Sequence, residues 1–248
     1  MKSPFFVNAG RVISEFSNIF PIKKNNFRIL TYHSIGDHVP LDKMGIYNLT
    51  KNKFYTQMKY LHDNNIKISP LSEFSNLSIT FDDGFLNNYL TAFPILNNFN
   101  FPFTIFITPK FIDNYLYLNR SQLKELSTFP NVTIGAHGFT HRHLGHLNYK
   151  ETYEELINSK KWIENLIGKE VNHFSYPFGS YNNDTMTLLR ENNYLSSCTV
   201  NFGTNYDKCN LYELKRTDIF SFDTLRDFKL KINGAWDWIE FRTKRHKT

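Results

Sequence analysis

The 248-residue chain is poor in several things that would otherwise direct its reading. It has two cysteines, Cys198 and Cys209, and their spacing matches no common metal or redox signature. A disulfide framework is therefore excluded, and free thiols are expected. No stretch approaches the roughly 20 apolar residues needed to span a bilayer. The opening "MKSPFFVNAGRVISEF" lacks the continuous apolar core of a secretory signal, so a cytoplasmic location is the default expectation. Internal repeats, low-complexity linkers and a Pro/Gly/Ser-rich seam are also missing, which points to a single main domain. Net charge is +6, but the Lys and Arg are scattered except in the tail "RTKRHKT". No recognition motif accompanies the charge, so nucleic acid is not an expected partner.

What the chain does have is apolar and aromatic mass. Hydrophobic residues are 41% and charged residues 21%, enough for a packed core rather than disorder. The 24 Phe and 14 Tyr must largely be core, although a carbohydrate cleft would also use exposed Tyr and Trp. Residues 1–26 read as an N-terminal extension. Val12, Ile13, Phe16, Ile19 and Phe20 have helical amphipathic spacing near Arg11, Lys23 and Lys24. Such a helix could lie on anionic membrane near a lipid-linked substrate, or pack on its own domain. From Phe27 onward, strand-like and helix-like stretches alternate. "FRILTYHSI", "LSITFDD", "FPFTIFIT", "NVTIGAH", "NHFSYP", "YLSSCTV" and "YELKRTDI" read as strands. Helices are expected over "NKFYTQMKYLHDNN", "GFLNNYLTAFPILNNF" (interrupted near Pro94), "RSQLKELS" with Ser121 as N-cap, "YKETYEELINSKKWIENLI" closing at Gly168, "NDTMTLLRENN" and "FDTLRDFKLKI". This order argues for an α/β fold, either a parallel sheet or a barrel.

In such folds chemistry sits at the C-terminal ends of strands. His33 closes the first strand, Asp82 and Asp83 close "SITFDD", His137 closes "VTIGAH", and Pro177 and Gly179 follow "HFSY". His137 and His141 are four residues apart, so a turn or helical segment can aim both imidazoles at one point. Two His with one carboxylate make a common open site for a hydrolytic metal. Taken alone, the pair would equally suit a solvated His-rich loop, and Asp-Asp-Gly a solvated turn. If both aspartates stay extended they point to opposite sides, which suits two tasks: one ligating a cation, the other taking a proton from water.

Together, "ITFDDGF", "IGAHGFTH" and "FSYPFGSYN" resemble the first three motifs of the polysaccharide deacetylases, carbohydrate esterase family 4, in order and interval. The resemblance spans roughly Phe27 to Ile219. It implies a distorted (β/α) barrel of about seven strands, with 27–248 as the catalytic domain. It also implies a divalent metal, most often Zn2+, on Asp83, His137 and His141, with Asp82 as general base. The third motif implies an oxyanion contact from the Phe178 N–H and a groove wall involving Pro177 and Tyr181. The implied substrate is an N-acetylated sugar in a polysaccharide, oligosaccharide or envelope-glycan precursor. An O-acetyl esterase and an inactive carbohydrate-binding relative are the alternatives. The oligomeric state is left open.

Three departures from the family pattern matter. No Leu-x-x-His element lies near the C-terminus, where His246 sits in the basic tail. "ILTYHSIG" instead resembles a subgroup with circularly shifted motif order, which nominates His33 as the acid for the leaving amine. Ser175 stands where an arginine that braces the base is frequent, and Arg216 is the candidate to replace it. Gly138 stands where Ser or Thr is common, which would loosen the turn between the two histidines.

Overall fold

A computed structural model describes residues 26–36, 42 and 45–239. Residues 1–25 of the N-terminal extension, with its expected amphipathic helix, and the basic tail with His246 lie outside the described residues. The strand expected over "FRILTYHSI" divides at His33, giving β1 (Arg28–Tyr32) and β2 (Ser34–Ile35). β2 pairs in parallel with β3 (Asn48–Leu49), away from the main sheet. The main sheet is a closed parallel barrel in the order β1, β4 (Leu77–Phe81), β5 (Phe103–Ile107), β6 (Val132–Ala136), β7 (His173–Ser175), β8 (Ser196–Phe202) and β9 (Leu214–Asp218). β9 returns to β1 through Leu30↔Thr217 and Thr31↔Asp218. Seven β/α-type strands therefore close the sheet, and no free edge remains in it.

Strands buried on both faces read as near-continuous apolar runs, as "RILTY" and "FTIFI" do. Ile29, Phe106, Cys198 and Leu214 come from β1, β5, β8 and β9 and form one buried cluster. β5 is not adjacent to β1, β8 or β9, so these side chains meet across the barrel interior. Phe106 fits because β6 carries Gly135 beside it; a Cβ there would sit 2.4 Å from the Phe106 ring. Cys198 is buried and free, and burial pushes its thiol up to about 12. Cys209 is also free.

Helices cover the outside. α1 (Lys51–Asp63) buries Phe54, Met58 and Leu61 at helical spacing and packs an aromatic edge on Tyr32, 5.2 Å between centroids. Pro94 does not break the helix expected around it. A π-turn over Asn88–Ala92 leads directly into α2 (Phe93–Asn98). Pro94 offers no N–H and its ring crowds the preceding turn, and the wider π-turn accommodates both. α3 (Arg120–Thr128) is capped by Asn119, not Ser121. Asn119 Oδ1 accepts from Gln122 N while Gln122 Oε1 accepts from Asn119 N, a reciprocal pair that a cap at Ser121 would lack. α4 (Tyr149–Ile167) starts at a capping box of Asn148 and Glu151 and stops at Gly168, φ 68°. α5 (Asn183–Glu191) and α6 (Leu225–Ile232) complete the shell. Among the described residues no helix is long and apolar enough to cross a membrane.

Candidate active site

The barrel ladder runs one residue beyond each strand and there holds the chemistry-bearing residues. Asp82 N donates to Tyr32 O (3.1 Å), His137 N to Ile107 O (2.9 Å) and Tyr176 N to Cys198 O (3.0 Å). These backbones are thus fixed by strand pairing rather than left to loops. A cavity of about 550 Å³ opens over this end of the barrel. His33, Asp82, Asp83, His137, His141 and Arg216 all line it.

The two aspartates do not diverge as extended backbone would require. Asp83 takes the left-handed conformation, φ 71°, and Gly84 follows at φ 76°. The chain turns sharply, Gly84 N donating back to Asp82 O (2.9 Å), and both carboxylates face the same cavity. Asp83 Oδ1 lies 3.5 Å from His137 Nε2 and 3.3 Å from His141 Nε2. The three donor atoms are all within 4.8 Å of one another. Ligands about 2.1 Å from a tetrahedral zinc stand roughly 3.4 Å apart, so the donor set fits such an ion.

The His137 tautomer follows from its partner. Nδ1 lies 2.7 Å from Ser175 O, a carbonyl that can only accept, so Nδ1 carries the hydrogen and Nε2 presents its lone pair to the cavity. Burial, outweighing the neighbouring aspartates, brings the imidazole down to about 4, so it is neutral at pH 7. His141 reaches the same point from a loop, not from a helix. Gly138 (φ 73°) and His141 (φ 64°) reverse the chain so that the two imidazole centroids are 4.9 Å apart. The loop is tightened rather than loosened at Gly138. A Cβ there would meet Glu155 Oε2 at 3.2 Å and Pro177 Cγ at 3.3 Å, besides the strain of its φ.

Asp82 is set apart by its partner. Arg216 forks onto it, Nη1 to Oδ1 at 2.8 Å and Nη2 to Oδ2 at 2.7 Å. Arg216 Nη2 also donates to Ser175 Oγ (2.9 Å), and Ser175 Oγ to Asp82 Oδ2 (3.2 Å). Arg216 Nε donates to Thr199 O (3.0 Å). Burial would raise the Asp82 carboxyl, but the Arg216 charge, then His137, more than offset it and hold it well below the usual range. The result is a carboxylate that is ionised, oriented and 4.0 Å from His137 Nε2.

The third motif places its residues unequally. Phe178 adopts φ 57° and is 50% exposed, its ring stacked on His143 (4.0 Å) and edge-on to His141 (4.5 Å). It walls the cavity. Pro177 is buried beneath the turn at Gly138. Tyr181 departs from the expected groove wall: it is 2% exposed, stacks on Tyr176 at 4.5 Å and donates its hydroxyl to Glu213 Oε1 (2.9 Å). The chain turns inward there, towards the Asn182 cap of α5.

The polysaccharide deacetylase profile matches residues 72–196, half of the chain. A protein of Bacillus subtilis (strain 168) named as a polysaccharide deacetylase, YxkH, is 30% identical over 203 residues, 77% of this chain and 70% of its own. The chain belongs to the polysaccharide deacetylase family. A poly-β-1,6-N-acetyl-D-glucosamine N-deacetylase of Staphylococcus epidermidis is 22% identical over 68% of this chain and 71% of its own. The crystal structure of BC0361, a polysaccharide deacetylase from Bacillus cereus, superimposes with a TM-score of 0.76 at 26% identity, covering 84% of this chain and 69% of that one. The Streptococcus pyogenes deacetylase PplD, in complex with acetate, shares the fold at TM-score 0.76 and 21% identity, over 86% of this chain and 99% of its own.

Against this family background, sequence reasoning missed four residues. Asp218 ends β9 in the cavity, its carboxyl raised by burial against the opposing pull of Arg216 and His33. It lies two residues after Arg216 on the same strand, and that alternation was the available signal. Tyr47 packs on His33 at 4.4 Å, and Tyr117 stacks on Phe85 at 5.0 Å; both line the cavity from loops that carry no motif. Glu155 belongs to α4 and reads in sequence as an ordinary helix acid.

Proposed function

We infer that this deacetylase hydrolyses the N-acetyl group of an acetylated sugar in a polysaccharide, oligosaccharide or envelope-glycan precursor, using a divalent cation, most naturally Zn2+. The observation that carries this reading is the convergence of Asp83, His137 and His141 beside a separately braced Asp82 in an open aromatic-walled cavity. Asp83 Oδ1, His137 Nε2 and His141 Nε2 would hold the ion. When bound, it supplies Lewis acidity that makes water a nucleophile near neutral pH and polarises the acetyl carbonyl.

Asp82 receives the proton of the attacking water. Its carboxylate is ionised, lies next to the ligand cluster and is kept from swinging away by the Arg216 fork. Arg216 and Ser175 act through Asp82 and are positioning residues. The Phe178 N–H, on a turn above the cavity, is assigned the oxyanion of the tetrahedral intermediate. His33, across the cavity, gives a proton to the nitrogen as the C–N bond breaks, so the products are acetate and a free amine on the sugar. Phe178, half exposed at the cavity, offers aromatic surface that suits the apolar face of a pyranose.

The reading is tested by incubating zinc-loaded protein with β-1,6-linked N-acetylglucosamine oligomers, chitin-type oligomers and an O-acetyl ester, and following acetyl loss by mass spectrometry. Acetyl loss from an N-acetylated oligomer is expected. Turnover of the ester alone would replace the amide assignment with an esterase, and binding without turnover would mark an inactive relative.

A further inference from the structure

Glu155 is a carboxylate on the middle of α4, 5% exposed, and its three bonds all come from one short loop. Oε2 accepts from Phe139 N (2.8 Å) and Thr140 N (2.9 Å), and Oε1 accepts from Thr140 Oγ1. These donors lie between His137 and His141. Among the described residues no lysine or arginine pairs with Glu155. Burying a carboxylate without a counter-charge is strongly unfavourable unless hydrogen bonds satisfy it. This one is satisfied only if the loop folds down onto it, so the loop conformation and the buried acid are linked.

The same atom shapes the backbone. Glu155 Oε2 would stand 3.2 Å from any Cβ at position 138, so the carboxylate occupies the space that a larger residue there would need. Gly138 and Glu155 are thus complementary: the glycine provides the φ of 73° and the room, and the acid takes the two N–H groups that the reversal turns inward. His137 needs no such help, since its N is in the barrel ladder and its Nδ1 is on Ser175 O. His141 has neither anchor. It sits directly after Thr140, at φ 64°.

We propose that Glu155 is a positioning residue for the metal centre: it clamps the loop from Gly138 to Thr140 onto α4 and thereby fixes the second imidazole, His141, at ligand distance from Asp83. The inference rests on the metal reading above. An acceptor-only side chain is suited to the task because it takes three donors without competing for them. Supporting shells of this kind set affinity by preorganising the ligand rather than by touching the ion.

The test uses the full chain, stripped of metal and titrated with zinc against a chromophoric chelator, with cobalt-loaded visible spectra and metal-free melting curves in parallel. Glu155→Ala is expected to weaken zinc binding by about 10–100-fold and to alter the cobalt spectrum. Glu155→Gln keeps an oxygen for the two backbone N–H groups and an amide donor for the Thr140 hydroxyl, and should stay within about threefold of wild type. Thr140→Val removes one donor from an exposed side chain without threatening the fold, and should weaken zinc by about 2–10-fold, the worth of one hydrogen bond. Lower melting temperatures with zinc affinity and cobalt spectrum unchanged in both Glu155→Ala and Thr140→Val would make the clamp purely structural and overturn the proposal. Equal losses in the Gln and Ala variants would overturn it as well, because charge rather than geometry would then be at work. A wild type that binds no zinc would instead remove the metal centre itself, which is a different failure.

Discussion

Replacing Arg216 with methionine removes both prongs of the fork on Asp82 and the bond to Ser175 Oγ, while the stem still fills space beside Phe106. Asp82 is then left, 3% exposed, with Ser175 Oγ at 3.2 Å as its remaining side-chain donor. Removing one partner of a buried pair costs about 3–5 kcal/mol, because the other charge stays uncompensated. That is a large share of the roughly 5–15 kcal/mol that holds a domain folded. Asp82→Asn strands the guanidinium and should cost a similar amount. The double variant Asp82→Asn/Arg216→Met removes both charges of the pair and leaves neither partner stranded. It should lose at least about 2 kcal/mol less than the sum of the single losses.

The assay is urea unfolding of metal-free protein at pH 7, since bound metal would add its own stabilisation to the folded state. The pH dependence has a definite sign. Asp82 is depressed in the folded protein, so its contribution is fully present above the unfolded carboxyl pKa near 4 and fades as pH falls below it. In Arg216→Met burial prevails, the carboxyl rises, and proton uptake by Asp82 should appear above that range. Strictly additive single losses, or an Arg216→Met protein as stable as wild type, would refute the idea that a buried ion pair organises this side of the site.

Two further outcomes are expected. His33→Gln should leave zinc content unchanged but slow amide substrates more than acetyl esters, whose leaving group needs less proton assistance; equal slowing, measured by acetate release, would remove the acid role. His173 is buried, its imidazole brought down to about 4 by burial alone. Because the unfolded chain takes up that proton first, stability should fall by roughly 3 kcal/mol between pH 6.5 and 4, and His173→Phe should flatten that part of the curve if its core tolerates the ring.

Much of the site was legible because parallel strands deliver their last residues to one end of a barrel. His33, Asp82, Asp83 and His137 were each found by looking at strand ends, Arg216 by the arginine missing at Ser175, and the structure brings all five around one cavity. The signs of backbone angles were not legible. Asp83 at φ 71° undoes the alternation that would have separated the two carboxylates, and no local propensity announces it, since aspartate only tolerates that conformation. Tyr181 lay beside a recognisable turn but faces inward, because tertiary packing on Tyr176 decides its direction. Glu155 was invisible for the opposite reason. Its partners are 15 and 16 residues away across a reversing loop, and nothing in a helical acid's spacing foretells a contact of that kind. Gly138, read from sequence as a loosening, is a fit to that same carboxylate.

The central claim is that three residues from two strand ends and a loop share one ion. It is tested most directly by anomalous diffraction from crystals grown with zinc, together with metal analysis in solution. One zinc per chain, bonded to Asp83 Oδ1, His137 Nε2 and His141 Nε2 and lost on Asp83→Ala, is the predicted result. A zinc bound elsewhere, or well-ordered crystals showing these three side chains with no ion between them, would contradict the account.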